Sequence, residues 1–236
     1  MSIRTVALTR PEEQGEASHR LLMERGFEVI EAPTIEIREI RPKPNFSPPD
    51  LSIFMSISSV KFLPEMPKSE IIAVGPSTAR ALRARGVSPI LPREYSSQGV
   101  IDIIPAVKGR RVAIFHSDKG APLKMELEKR GALVDDVTLY KIALPKNRER
   151  IEALIEKGLK GEVAAYIFTC YSCFSNLMRV AGDRGRELRN YMNSSVVAAI
   201  GGSTRRAIEE QGVKVRLTPS VYTFSALVEA LASLRW

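Results

Sequence analysis

Cysteine and histidine are nearly missing from this 236-residue chain, which carries two of each. Cys170 and Cys173 stand three apart with no second Cys pair or nearby His, a poor set for zinc, with dithiol redox chemistry as the lesser alternative. They read as small fillers on a turn and a first helical turn. Aromatic residues make up only 6% of the chain, which leaves few platforms for stacking bases. No apolar run approaches the roughly 18 residues of a membrane span, and the N-terminal MSIRTVALTRPEE has no continuous apolar stretch of a signal peptide. The expected address is cytoplasmic. What is present is an ordinary globular composition, 44% hydrophobic and 26% charged, enough to bury two cores. The net charge of +8 suits nucleic acid, an anionic membrane or a polyanionic small molecule. The basic residues are scattered rather than gathered into an arm, which argues against specific nucleic-acid binding and leaves solvated helix faces as the plain alternative.

An internal repeat organises the rest. Residues 73–91, AVGPSTARALRARGVSPIL, recur 126 positions later as 199–217, AIGGSTRRAIEEQGVKVRL, with 9 of 19 positions identical. VALTR at 6–10 matches VAIFH at 112–116, RGFEV at 25–29 matches RGALV at 130–134, and IFMSISSVKFL at 53–63 matches IFTCYSCFSNL at 167–177. Blocks recurring in one order mark a duplicated structural unit. In each, a short Val/Ile/Ala run meets Gly, Pro or Ser and then a helical pattern, as in Thr5–Leu8, Glu28–Ala32, Ile53–Met55 and Ile71–Val74. That alternation predicts parallel sheets covered on both faces. Thr9, Ser77 with Thr78, Ser203 with Thr204, and Thr223 are the expected helix caps.

The richest linker, RPKPNFSPPD at 41–50, falls inside the first repeat, and LPKNR at 144–148 is its equivalent; the join between repeats near Pro105–Arg110 is short. This spacing predicts a chain that crosses over and returns. One domain would combine 1–36 with 147–236, the other would hold 46–138, and 37–45 with 139–146 would bridge them. A cleft between lobes is a common ligand site in such proteins.

TRP at 9–11, the IFMS and IFTC strand ends, the paired VGPST and IGGST turns and VTLYKIALP at 137–145 together resemble the uroporphyrinogen-III synthase family over essentially the whole chain. The resemblance implies two flavodoxin-like parallel-sheet domains joined by a two-stranded β bridge with chain crossover. It also implies a cofactor-free and metal-free lyase of tetrapyrrole biosynthesis. Hydroxymethylbilane would lose its terminal hydroxyl and close with ring D inverted, through an azafulvene and a spiro intermediate. The implied partners are that linear polycarboxylate and a handover from hydroxymethylbilane synthase, the chain itself acting as a monomer. The alternative class is a two-lobed protein that grips an anionic ligand without turnover.

Tyr140 matches the cleft tyrosine of the family and would donate a proton or hydrogen bond to the leaving hydroxyl; otherwise it is a strand aromatic with a satisfied hydroxyl. Ser77, Thr78, Ser203 and Thr204 would offer hydroxyl and backbone donors to substrate carboxylates, or simply cap helices. Ser56, Ser58, Thr169 and Ser172 sit on the other repeated turn, where the family commonly has Thr-Ser and each copy here keeps one of the two hydroxyls. Arg10 would pair with a substrate carboxylate or with a helix carboxylate. His116 and Lys119 occupy a loop where the family often carries Arg, and Gly202 replaces its usual proline.

Overall fold

The computed structural model describes residues 4–41, 45–104, 106–120 and 122–234; residues 42–44 of the first linker and Pro105 lie outside them. In chain order the elements are β1 (Arg4–Leu8), α1 (Gly15–Met23), β2 (Phe27–Glu31), β3 (Glu36–Glu39), β4 (Leu51–Phe54), α2 (Ile57–Phe62), β5 (Glu70–Ala73), α3 (Pro76–Arg83), α4 (Ser97–Ile103) and β6 (Arg111–Ser117). They continue with α5 (Leu123–Lys129), β7 (Leu133–Ala143), α6 (Glu149–Leu159), β8 (Ala165–Phe168), α7 (Tyr171–Ala181), α8 (Gly185–Ser194), β9 (Val196–Ala199), α9 (Gly202–Glu209) and α10 (Phe224–Ala232). The chain forms two compact units, Met1–Glu36 with Ala143–Trp236, and Ile37–Ile142.

The first unit holds a four-stranded sheet in the order β2-β1-β8-β9, parallel at every pairing. The second holds a five-stranded sheet in the order β3-β7-β6-β4-β5, in which the β7–β6, β6–β4 and β4–β5 pairings are parallel. Apolar strands bounded by turns form these sheets because both faces are covered: every residue of β4 (LSIF), β8 (AYIF) and β9 (VVAA) is buried. Each sheet gains a further parallel contact after its repeated turn and helix, Ile72 with Ile90 and Ala198 with Leu217. The repeat read in the sequence is thus a repeat of topology.

Local signals account for the element ends. Gly86 and Gly212, equivalent in the two copies, close α3 and α9 at φ of 78° and 79°, where only glycine carries no Cβ penalty. Thr223 caps α10 by accepting from the Ala226 N–H at 3.3 Å. Thr9 does not cap: Pro11 precedes a short 3-10 turn at Glu12–Gln14, and the Thr9 hydroxyl donates instead to the Ile167 carbonyl at 2.8 Å. β7 runs without interruption through the segment read as a bridge strand, and the Ile40 N–H donates to the Leu139 carbonyl at 3.0 Å, so that β3 and β7 lie together in the second sheet.

One close approach fixes the start of α4. Ser96 caps it by accepting from the Gly99 N–H at 3.0 Å, and a Cβ on Gly99 would lie 1.9 Å from the Glu94 carbonyl oxygen. Because that obstacle is backbone, Gly99→Ala is expected to cost about 2–3 kcal/mol. Gly15→Ala, which meets nothing within 4 Å, should be neutral or stabilising. Thermal melting of the two variants checks this, and equal melting temperatures would contradict it.

Candidate functional site

In the first unit, the carboxyl ends of β1, β8 and β9 lie side by side because Ile167 pairs with both Leu8 and Ala198. Their exits carry Arg10, the Thr169–Ser172 turn and the Gly201–Thr204 turn, five of the residues expected from sequence. Arg10 is the most telling of them. Its guanidinium donates to Ser18 Oγ at 2.7 Å and to Gln14 Oε1, and lies 4.5 Å over the Phe224 ring. Its Nε is buried without a hydrogen-bond partner. Burial pulls the guanidinium down to about 10, with the Cys173 and Cys170 thiols opposing that shift. The group stays charged at neutral pH, held by neutral partners and an aromatic face, and among the described residues no carboxylate pairs with it. The expected salt bridge within the first helix is not formed. Such a cation is electrostatically suited to an incoming anion.

α7 begins beside it, anchored by Thr34. The Thr34 hydroxyl donates to the Cys173 carbonyl at 2.9 Å, and the Asn176 amide donates to the Thr34 carbonyl at 2.8 Å. Cys170 occupies the cap position of α7 without a side-chain cap bond, leaving Thr169 and Ser172 partly exposed on either side.

In the second unit, Phe54 pairs with both Ala73 and Phe115, so β4, β5 and β6 also end in line. Tyr140 reaches this edge through an irregularity: His116 pairs with Thr138 but Ser117 pairs with Tyr140, so Leu139 is an extra residue on β7. A bulge breaks the alternation of faces, and Leu139 and Tyr140 are both buried. Asp118 holds the end of the strand, its N–H donating to the Tyr140 carbonyl at 2.9 Å and its carboxylate accepting from the Ile142 N–H at 2.8 Å. The Tyr140 hydroxyl lies 2.8 Å from Ser56 Oγ. Ser56 caps α2 by accepting from the Ser59 N–H at 3.0 Å, and Ser59 Oγ accepts in return from the Ser56 N–H at 3.2 Å. Ser58 stands buried in the first turn of the same helix.

His116 is buried at 3% exposure, with Nε2 on Asp136 and Nδ1 2.6 Å from the Ser117 carbonyl; Lys124 reaches the other oxygen of Asp136 at 3.3 Å. Both ring nitrogens are engaged, which makes His116 part of the β6–β7 framework, while Lys119 is exposed on the loop.

The repeated turns differ from the expected caps. Gly75 and Gly201, not the hydroxyl residues, are the cap positions of α3 and α9, and neither helix has a side-chain cap bond. Ser77, Thr78, Ser203 and Thr204 therefore fall in the first helical turns, with Thr78 and Thr204 buried. The initial N–H groups of an α-helix have no partner within the helix, so these two turns can receive carboxylate oxygens. Each glycine lies under a tyrosine. A Cβ on Gly75 would be 3.7 Å from Tyr95, and one on Gly201 would be 3.2 Å from the Tyr222 ring. Tyr95 and Tyr222 went unnoticed in the sequence, although EYSS and VYTF, each just before a capped helix, continue the repeat.

The fold with its two strand-end edges defines a class, the duplicated, doubly wound α/β proteins with parallel sheets. Residues 16–229 match the sequence profile described as "Uroporphyrinogen-III synthase HemD". The "Putative uroporphyrinogen-III synthase" of Methanothermobacter thermautotrophicus is 32% identical over 246 residues, covering 96% of this chain and 97% of that protein. The uroporphyrinogen-III synthase of Chlorobaculum parvum is 28% identical, covering 98% of each. Among solved structures, a mutant uroporphyrinogen III synthase of Thermus thermophilus superposes with a TM-score of 0.70 at 24% identity, covering 98% of this chain and 97% of that one. The uroporphyrinogen-III synthetase of Helicobacter pylori superposes at 0.66 with 17% identity, covering 99% and 100%. The chain belongs to the uroporphyrinogen-III synthase family.

Three variants test these groups. Arg10→Met should weaken binding of a tetrapyrrole polycarboxylate by about tenfold to a hundredfold while leaving the melting temperature unchanged or raised, because the charge it removes has no carboxylate partner. A large fall in stability with unchanged affinity would show a structural arginine. Gly201→Ala should impair binding more than Gly75→Ala, since only the former brings Cβ tightly against a tyrosine ring; calorimetry on both variants measures the difference.

Proposed function

We propose that this chain catalyses the cyclisation its family is named for: a hydro-lyase step converting hydroxymethylbilane to uroporphyrinogen III with ring D inverted. The observation that carries the proposal is the Tyr140–Ser56 pair, a buried phenol on a bulged strand, hydrogen-bonded to the cap of a helix. The reaction needs little acid, because an electron-rich pyrrole expels the hydroxyl. It does need a proton delivered there and the charge on its donor held briefly.

Tyr140 gives its proton to the departing hydroxyl, which leaves as water, and Ser56 then donates to the phenolate oxygen. Ser56 is polarised for this by the Ser59 N–H it accepts, a chain in which each bond strengthens the next. At 5% exposure the phenol is shielded from bulk water, so its proton passes to a group brought against it. The azafulvene is then attacked by the substituted carbon of ring D. The spiro intermediate reopens, recloses inverted and loses a proton, which restores the phenol. Substrate and product carry eight carboxylates, for which Arg10 and the α3 and α9 N-termini, with Ser77, Thr78, Ser203 and Thr204, supply donors. Thr169, Ser172 and Ser58 line the neighbouring turns and bind in the same way.

Freshly generated hydroxymethylbilane supplied to the purified protein, with separation of the product isomers, decides the matter. An excess of the inverted isomer is expected. The uninverted isomer alone, as forms spontaneously, would leave an anion-binding protein without turnover. Tyr140→Phe should lower kcat by about a hundredfold with KM little changed, and activity within about twofold of the parent would remove the phenol from the chemistry.

A further inference from the structure

We propose that Cys170 and Cys173 form a reversible dithiol–disulfide site at the start of α7, cycling with small-molecule disulfides. The two sulfurs are 3.5 Å apart, so a bond of about 2.05 Å requires a closure of roughly 1.5 Å. Cys170 is the cap residue and partly exposed, whereas Cys173 is fully buried in the first turn. An oxidant can therefore approach the pair only from the side of Cys170, whose thiol is itself largely covered, and Cys173 is reached only through its neighbour.

The duplicated copy makes the pair unusual. Aligned on the two IF strand ends, Cys170 and Cys173 occupy the positions of Ser56 and Ser59, which form a reciprocal capping box in the second unit. Here both hydroxyls are replaced by thiols and α7 has no side-chain cap bond. Fillers would not need both positions of a capping box to change to the same reactive group. The surroundings favour a thiolate. The Cys170 thiol and the Thr169 and Thr9 hydroxyls pull Cys173 down to about 7, while Cys170 is pushed up by the shared hydrogen bond and by burial. Arg10 and the helix N-terminus add positive potential. Among the described residues no third His, Cys, Asp or Glu joins them in a metal-binding group, so the pair is left with thiol chemistry.

The exchange balances as follows. Cys170 passes its proton to the Cys173 thiolate and attacks one sulfur of a disulfide RSSR, releasing RS⁻ and leaving a mixed disulfide on Cys170. The released RS⁻ takes the proton from Cys173, whose thiolate attacks the Cys170 sulfur and expels the second RS⁻. The protein loses one proton and two electrons, and RSSR becomes RSH and RS⁻. Closure draws Cys173 away from the Thr169 hydroxyl, now 3.9 Å from it, so the redox state registers at the anion-binding turn.

The chain has just two cysteines, which makes the test unambiguous. The whole protein is equilibrated with oxidised glutathione, acid-quenched, denatured, alkylated with N-ethylmaleimide and weighed intact. Loss of both alkylatable thiols without a glutathione adduct, restored by dithiothreitol, is expected. Cys173→Ser should stop at one glutathione on Cys170. Cys170→Ser, which regains the cap seen at Ser56, should take none. Two thiols retained by the parent, a mixed disulfide accumulating in it, or a disulfide-linked dimer would overturn the proposal.

Discussion

The in-phase register of neighbouring parallel strands is the constraint from which the rest follows. Phe54 lies level with Ala73 and Phe115, and Ile167 lies level with Leu8 and Ala198. The ladder continues one residue further: the Met55 N–H donates to Phe115, Val74 to Phe54 and Ile200 to Phe168. Strands that end together send their helices out from one edge, and the helix N-termini gather there with their unpaired N–H groups. A slip of one residue would move a turn by about 3.3 Å and reverse the face of every side chain on that strand. Burial on both faces prevents the slip. The stacked rings of Phe54 and Phe115, centroids 4.7 Å apart, help to fix the register on the second sheet.

At those edges the usual rules of local satisfaction are relaxed. Arg10 carries a charge with no carboxylate beside it, and α3, α7 and α9 start without side-chain caps. Each omission costs stability, of order 1 kcal/mol for a missing cap. Three helices are capped by side chains: α2 by Ser56 at the edge of the second sheet, and α4 and α10 by Ser96 and Thr223. Uncapped starts also occur at α1, α5, α6 and α8, so the buried guanidinium of Arg10, rather than a missing cap, sets its edge apart. Protein chemistry that satisfied these groups internally would leave less free energy for an anion.

Topology was legible because a duplicated period and a strand–turn–helix rhythm survive in the residues themselves. The position of Ser and Thr within the repeated turns was not, since Gly-Pro-Ser-Thr and Gly-Gly-Ser-Thr fit a cap on the hydroxyl residues and a cap on the glycine equally well. The backbone places glycine at the cap, and at Gly201 the Tyr222 ring lies close enough to crowd a Cβ, a contact between segments about 20 residues apart. The bulge at Leu139 was equally hidden. VTLYK reads as a strand in which Leu and Tyr face opposite ways, and only pairing with His116 and Ser117 brings both inside. The setting of His116 was hidden for the same reason: its partner Asp136 belongs to another strand, and no spacing along the chain signals an imidazole held at both nitrogens.

Duplication also explains why equivalent turns hold different chemistry. Both copies supply a strand end, a helix N-terminus and two side chains three residues apart, but each unit adds a different third group. In the second unit the serine pair meets a phenol, whose hydroxyl hydrogen-bonds with Ser56. In the first the thiol pair meets a guanidinium, so its edge carries fixed charge and a polarisable sulfur beside it. The third group differs while the strand–turn–helix frame is kept in both units, so the duplicated backbone does not by itself dictate the chemistry at its turns.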